Sequence, residues 1–104
     1  MDSRNNKYSR LTFPVLGYVP NSFNRIWKDN PAIQRLWNND GDNLSDNIEK
    51  ADLLLIKESI RNNITDIKDL YAILVLKPNG AFQKLDKDES YLRMTISKAI
   101  YKWN

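Results

Sequence analysis

Residues 45–60 constrain the fold more than any other part of the chain; they read SDNIEKADLLLIKESI. Their apolar residues recur at intervals of three and four, the spacing of one helix face. Asp46 is the expected N-cap, and Glu49 lies three residues later, where it can reach back to the amide of the cap. Further apolar residues widen this face until most of the helix circumference is apolar. Because such a helix is typically buried, we expect a central helix with others packed around it. The narrow face holds Ile48, Ala51, Leu54, Leu55 and Ser59, and Leu53, Ile56 and Ile60 widen it.

The chain length and the positions of proline and glycine indicate one domain. With 104 residues, the chain is long enough for a single small core. Residues 1–10 are polar and basic and are expected to form a flexible tail. Residues 11–20 contain two prolines and a glycine, which favour an extended segment over a long helix. We therefore expect a single helical-bundle domain over residues 11–104.

The composition excludes several classes of protein. The chain has no cysteine and no histidine, which removes disulfides, cysteine-based zinc sites and the usual catalytic triads. No apolar run approaches the roughly 20 residues of a membrane span, and the polar N-terminus does not resemble a signal peptide. We expect a soluble, cytoplasmic, non-enzymatic protein without cofactors or membrane contact.

Four further helices are predicted around the central one. The first begins at Asn21 or Ser22, and Asn30 with Pro31 starts a second that ends near Trp37. After the central helix ends at residues 62–63, Asn63 or Thr65 caps a fourth over DIKDLYAILVL, in which YAILVL is equally consistent with a buried strand. The last helix follows an Asp88 cap and ends near Lys102. The sequence thus predicts an all-α fold, a small bundle of four to five helices with an extended N-terminal segment. The expected inward rows are Ile67, Leu70, Tyr71 and Leu74 in the fourth helix, Leu92, Ile96, Ala99, Ile100 and Trp103 in the last, and Phe82 and Leu85 in the loop between them.

Two acidic groupings suggest metal sites but fit them poorly. Asp40, Asp42 and Asp46 surround Gly41, yet the offsets do not match a calcium-binding loop and no glutamate follows at the needed position. Asp46, Glu49 and Asp52 lie at intervals of three on one helix, which spreads them over more than one face. We interpret these three as a cap, a capping box and one solvated charge, and we expect no metal site.

Positive charge is concentrated at the two ends of the chain. Residues 1–37 carry a net charge of +4, residues 38–76 carry −4 and residues 77–104 carry +3. If the ends meet, they form one positive face suited to phosphates. The alternative is that solvated helix faces simply carry mixed charge.

The last helix has the composition of a single-strand binding surface. Tyr91, Met94, Lys98 and Lys102 form one row, with Arg93, Ser97 and Tyr101 beside it. Cations suit phosphates and aromatic rings suit unpaired bases. A solvated face with lysines near the helix C-terminus explains the same residues equally well. The loop before this helix is also basic and contains Lys77, Lys84 and Lys87.

Several short motifs resemble the helical, template-binding domain of phage and plasmid primase-polymerases. That family carries R-L-W, G-D, S-D, S-E-A-D-L and I-D-x-L-F pieces and closes on Y-x-x-x-T-I-x-K-A-I. The resemblance covers residues 25–100 in order, and the closing motif is its most specific part. One basic stretch of the family is replaced here by apolar residues 72–76, so the template contact expected there is not carried over. The matching residues are Arg35-Leu36-Trp37, Ser45-Asp46, Glu49-Lys50-Ala51-Asp52-Leu53, Ile67-Lys68-Asp69-Leu70-Tyr71 and Tyr91, Thr95, Ile96, Lys98, Ala99 and Ile100.

The resemblance implies a helix bundle that binds single-stranded DNA template and assists primer synthesis. Because this chain carries no catalytic core, we expect an accessory subunit that acts with a separate A-family DNA polymerase or primase subunit, and with a helicase, in the replication of a mobile element. The alternative is a protein-only adaptor or phage-type inhibitor of a host factor, whose basic residues face an acidic partner. The predicted phosphate contacts are Lys84, Lys87, Arg93, Lys98 and Lys102, and Tyr91 or Tyr101 is the predicted stacking ring.

Overall fold

The computed structural model describes residues 17–41 and 44–103, and it describes side chains as far as Tyr101. All regular secondary structure in these residues is helical. The prediction of an all-α bundle is confirmed, and YAILVL belongs to a helix rather than a strand. Sequence reasoning missed two short elements, a four-residue helix in the predicted basic loop and a 3-10 turn before the central helix. In chain order the elements are α1 (Asn21–Trp27), α2 (Pro31–Asn38), a 3-10 turn (Leu44–Asp46), α3 (Ile48–Arg61), α4 (Ile67–Leu76), α5 (Ala81–Lys84) and α6 (Glu89–Trp103).

Two helix starts agree with the sequence prediction. Asn30 Oδ1 accepts a hydrogen bond from the Ile33 N–H at 3.0 Å, with Pro31 as the first residue of α2. Asp88 Oδ1 accepts one from the Ser90 N–H at 3.0 Å. Both caps satisfy a backbone donor that has no partner within the helix.

Two other predicted caps are wrong by one residue or more. Asp46 belongs to the 3-10 turn, and Asn47 is the residue that precedes α3. Asp66, rather than Asn63 or Thr65, caps α4 by accepting a hydrogen bond from the Lys68 N–H at 2.9 Å. The helices therefore begin slightly later than predicted, because cap geometry depends on the backbone of the preceding loop.

The core forms around α3, as expected. This helix packs most extensively against α6 on one side and α2 on another. Every α-helix contributes at least one buried apolar side chain to one continuous cluster, so burial of apolar area is shared by the whole described chain. The fully buried aliphatic and aromatic residues include Phe23, Ile33, Leu55, Ile56, Ile73, Leu74, Val75, Phe82 and Leu92.

Three predicted inward residues face solvent instead. Ile67, Leu85 and Ile100 are exposed. Each lies at or beside the end of its helix, where fewer neighbouring residues can cover a side chain. Trp103 was also predicted inward, and its side chain lies outside the described residues.

The interpretation of Asp52 as a solvated charge is wrong. Asp52 is 0% exposed on the inner side of α3. Its Oδ1 accepts a hydrogen bond from Lys77 Nζ at 2.9 Å, and its Oδ2 accepts bonds from the Ala81 N–H at 3.0 Å and from Tyr91 Oη at 2.7 Å. Lys77 is also 0% exposed. One carboxylate therefore joins α3 to the end of α4, the start of α5 and the first turns of α6.

Gly80 leaves the space that this network occupies. A Cβ at this position would lie 3.2 Å from Lys77 Cδ and 3.3 Å from Asp52 Oδ1. Contacts of that length require the neighbours to shift, and both neighbours are fixed by their ion pair. A side chain at residue 80 would therefore push directly on the buried carboxylate.

We expect Asp52→Asn to lower the free energy of unfolding by about 3–5 kcal/mol, because it leaves the buried Lys77 ammonium without its counter-charge. Glu49→Gln is the matched control on the same helix. It removes a salt bridge of 3.2 Å to Lys87 in which both side chains are well exposed, so its expected cost is below about 1 kcal/mol. Urea denaturation followed by circular dichroism measures both. Equal stability of the two variants would contradict a structural role for Asp52.

Candidate nucleic-acid interface

Helix α6 presents one face to the core and one to solvent. Leu92, Thr95, Ile96 and Ala99 are buried, and their intervals of three and four place them on the side that packs against α3. The predicted binding residues fall on the remainder of the helix. Its orientation is set at the N-terminal end by the Asp88 cap and by the bond from Tyr91 to Asp52.

The solvent side of α6 brings together an aromatic ring and a cation. Tyr101 is 81% exposed and Met94 is 52% exposed. Lys98 lies three residues before Tyr101 and four after Met94, so the three side chains share one face. Lys98 is exposed and makes no ion pair with any described residue. We name Met94, Lys98 and Tyr101 the α6 face.

Arg93 borders the α6 face and is already paired. Its guanidinium donates to the Glu89 carboxylate one turn earlier in the helix, and its side chain stays largely exposed. The Glu89 side chain is only 12% exposed, so the pair is solvated on the Arg93 side alone.

The prediction that Tyr91 stacks on a base is wrong for this structure. Tyr91 is only 6% exposed, and its hydroxyl donates to the buried Asp52 carboxylate. Its ring therefore cannot receive a base without opening the core. The helical period placed it at the edge of the exposed row, and the attraction of a buried carboxylate for its hydroxyl turned it inward.

Lys87 lies in acidic surroundings. Its ammonium is 3.2 Å from Glu49 Oε2 and 5.9 Å from the centre of the Tyr91 ring. It lines a concavity of about 440 Å³ together with Glu49, Asp86 and Asp88. A phosphate at this position would meet three carboxylates, so the surroundings of Lys87 oppose anion binding.

The remaining predicted cations are separated from one another. Lys84 ends α5, is exposed and forms no ion pair within the described part of the chain. The backbone of Lys102 continues α6, one residue beyond Tyr101, and its side chain lies outside the described residues. The structure thus groups Lys98 with Tyr101, borders them with Arg93, and places Lys84 and Lys87 on the α5 side of the chain.

The buried network has shifted proton affinities. Burial lowers the pKa of Lys77 below its ordinary value of 10.5, although the Asp52 carboxylate acts in the opposite direction. Burial and the same carboxylate raise the pKa of Tyr91 far above its ordinary value of 10.0. Lys77 and Tyr91 are both enclosed by the core, so their shifts act on stability rather than on a substrate.

Other kinds of site find little support in the described residues. No three acidic side chains within residues 17–41 and 44–101 converge closely enough to hold a metal ion. In the same part of the chain, no helix has the length and apolarity needed to cross a bilayer.

Sequence reasoning missed two concavities on α1 and α2. Phe23 is buried, and Trp27 and Trp37 are only partly buried. With Val19 and Asn24 they line an apolar cavity of about 200 Å³. Asn24 also lines a neighbouring concavity of about 600 Å³ with Asn21, Arg25 and Lys28, and both concavities are open to solvent. The sequence feature that could have indicated these concavities is an aromatic residue beside outward-facing cations on a helix of only two turns.

Comparison with known proteins adds no assignment. No protein-family model, curated protein or solved structure matches this chain. Function is therefore inferred from the α6 face, the α1–α2 concavities and the distribution of charge between them.

The Tyr91 shift predicts a loss of stability at high pH. Above pH 10.0 the unfolded chain releases the Tyr91 proton while the folded chain keeps it, so the folded state binds more protons and its stability falls as pH rises. Lys77 contributes with the opposite sign between its lowered pKa and 10.5. Between pH 10.5 and about pH 11.5, we expect the free energy of unfolding to fall more steeply with pH in the wild type than in Tyr91→Phe. The two slopes should differ by up to about 1.4 kcal/mol per pH unit. Urea denaturation at several pH values tests this, and parallel profiles would contradict it.

Proposed function

We propose that this protein is a non-catalytic, single-stranded DNA-binding accessory subunit that assists primer synthesis by a partner polymerase. The observation that carries the proposal is the juxtaposition of Lys98 and Tyr101 on the α6 face. An unpaired cation next to a freely exposed ring is the minimal unit of a single-strand site. The positive net charge of +3 over the chain favours a polyanionic ligand.

The geometry of the α6 face favours an unpaired strand over a duplex. The ring of Tyr101 is 81% exposed, so one aromatic face is free to stack on a base. Bases offer their faces only where they are not already stacked in a double helix. Lys98 and Arg93 then attract the phosphates on either side by charge, without reading the sequence.

The accessory role in primer synthesis is supported by the motif resemblance. Of the residues in its closing motif, Lys98 and Ile100 are exposed on α6, while Tyr91, Thr95, Ile96 and Ala99 are buried. Lys98 is thus the residue of that motif that is best placed to touch a template. The expected partners are the single-stranded template and the catalytic polymerase or primase subunit, with a helicase, in the replication of a mobile element.

A protein-only adaptor is the second candidate function. Met94 and Tyr101 are exposed on the α6 face, and Ile100 is exposed on another side of the same helix. Exposed apolar residues that cluster on one helix are typical of a protein interface. In that case the face binds an acidic protein partner and has no affinity for DNA.

Replacing Lys98 and Lys102 together with alanine tests the phosphate contacts. We expect weaker binding to a labelled oligothymidylate and a decrease of about 0.7 per lost contact in the slope of log K against log salt. Fluorescence anisotropy at several salt concentrations measures both quantities. Lys50→Ala with Lys68→Ala, which removes two exposed lysines on α3 and α4, is the matched control. An unchanged slope in the α6 variant would refute the phosphate assignment.

Replacing Tyr101 with alanine tests the stacking contact. Loss of one base–ring contact is expected to weaken binding by about 1–3 kcal/mol, whereas Tyr101→Phe should bind like the wild type. Tyr18→Ala is the control, because Tyr18 is also well exposed, at 63%, before α1. Equal effects of the two alanine variants would contradict a stacking role for Tyr101.

A further inference from the structure

The apolar cavity between α1 and α2 is built from aromatic rings. Phe23 is buried and forms its floor, with ring centroids 6.0 Å from Trp27 and 5.2 Å from Trp37. The two tryptophan rings meet edge to face at 6.2 Å and 85°. Rings packed in this way hold one another in place, so the cavity is largely formed before any ligand arrives.

The size of the cavity limits what can enter it. Its volume of about 200 Å³ lies below the range of about 300–1,000 Å³ that is usual for small-molecule sites. A single bulky apolar side chain is the fitting occupant. Tryptophan is enriched among the residues that dominate protein interfaces, as are pockets that enclose one anchoring side chain.

The surface next to the cavity is cationic. The neighbouring concavity shares Asn24 with the cavity and carries Arg25 and Lys28, both exposed. Among the described residues, no carboxylate lines either concavity. This contrasts with the concavity beside Lys87, where three carboxylates are present. A ligand that covers both α1 concavities therefore needs an apolar group beside negative charge.

We propose that the α1–α2 surface is a docking site for an acidic segment of a partner protein, anchored by one bulky apolar side chain in the aromatic cavity. Arg25 and Lys28 bind the acidic residues that flank the anchor, and the asparagine amides donate to its backbone. The α1–α2 surface and the α6 face have no residue in common, and α2 and α6 each pack against α3. The proposal is therefore independent of DNA binding by the α6 face.

A peptide is favoured over a nucleic acid by the state of the rings. Trp27 and Trp37 are each partly buried and packed against one another, so neither offers an open face comparable to that of Tyr101. Stacking of a base needs such a face. Insertion of a leucine or phenylalanine side chain needs only the cavity.

Tryptophan fluorescence gives a direct test. The chain has three tryptophans, and Trp103→Phe leaves only the two that line the cavity as reporters. The probe is a synthetic, end-blocked peptide of nine residues with a central leucine–phenylalanine pair between glutamates. One control peptide has alanines in place of the apolar pair, and a second has lysines in place of the glutamates.

We expect a saturable change of fluorescence with the acidic peptide. The alanine peptide should bind at least about tenfold more weakly, since burial of such a side chain is worth about 1.5–3 kcal/mol. Arg25→Glu with Lys28→Glu should weaken binding of the acidic peptide to a similar extent and favour the lysine peptide. Lys50→Glu with Lys68→Glu is the charge-matched control and should leave peptide binding unchanged. Thermal unfolding of both double variants verifies that they fold.

Three results would overturn the proposal. The first is the absence of a saturable fluorescence change when the acidic peptide is added. If the protein in that sample also has the mass of a dimer, the cavity is assigned to a second copy of this chain. The second is equal binding of the acidic and alanine peptides, which would leave the cavity without a role. The third is loss of oligothymidylate binding, rather than peptide binding, in the Arg25 and Lys28 variant, which would make the surface a nucleic-acid contact. Failure of the Lys98 and Tyr101 tests alone would leave this proposal intact.

Discussion

The described structure depends on the buried carboxylate of Asp52. Its two oxygens receive three donors, from Lys77, Ala81 and Tyr91, which come from three different parts of the chain. An unpaired charge in the core would be strongly destabilising, so the geometry that supplies all three donors is favoured over alternatives that supply fewer. The carboxylate thereby fixes the end of α4, the start of α5 and the rotation of α6. The α6 face points to solvent because Tyr91 is held inward.

The two proposed binding surfaces lie on two sides of this framework. Helix α3 packs against α6 and against α2, and each of these outer helices carries aromatic and cationic side chains where solvent reaches them. The α6 face presents an exposed ring beside a lysine that forms no ion pair with the described residues, which suits an unpaired strand. The α1–α2 surface presents a formed aromatic cavity beside two cations, which suits an acidic protein segment. A small bundle with both surfaces is suited to joining a template to a partner.

Local features of the fold could be predicted from the sequence, and non-local ones could not. The Asn30 and Asp88 caps follow from residues within three positions of each helix start, and the apolar period of α3 needs no knowledge of its neighbours. The Asp52–Lys77 pair spans 25 residues, and each partner alone resembles a solvated charge. Lys98 and Tyr101 could be placed on one exposed face by helical period. Tyr91 could not be excluded from that face, because the partner that draws its hydroxyl inward lies 39 residues away. The partial exposure of Trp27 and Trp37 likewise depends on how α1 and α2 meet.

We expect the protein to prefer single-stranded DNA, and a competition experiment between single and double strands measures that preference. A labelled oligothymidylate bound by the wild-type protein is titrated at low and at moderate salt with an unlabelled single strand or with a duplex of the same length. We expect the single strand to displace the label at a lower concentration than the duplex, and added salt to weaken binding. Equal displacement by the two competitors, or no binding at low salt, would contradict it.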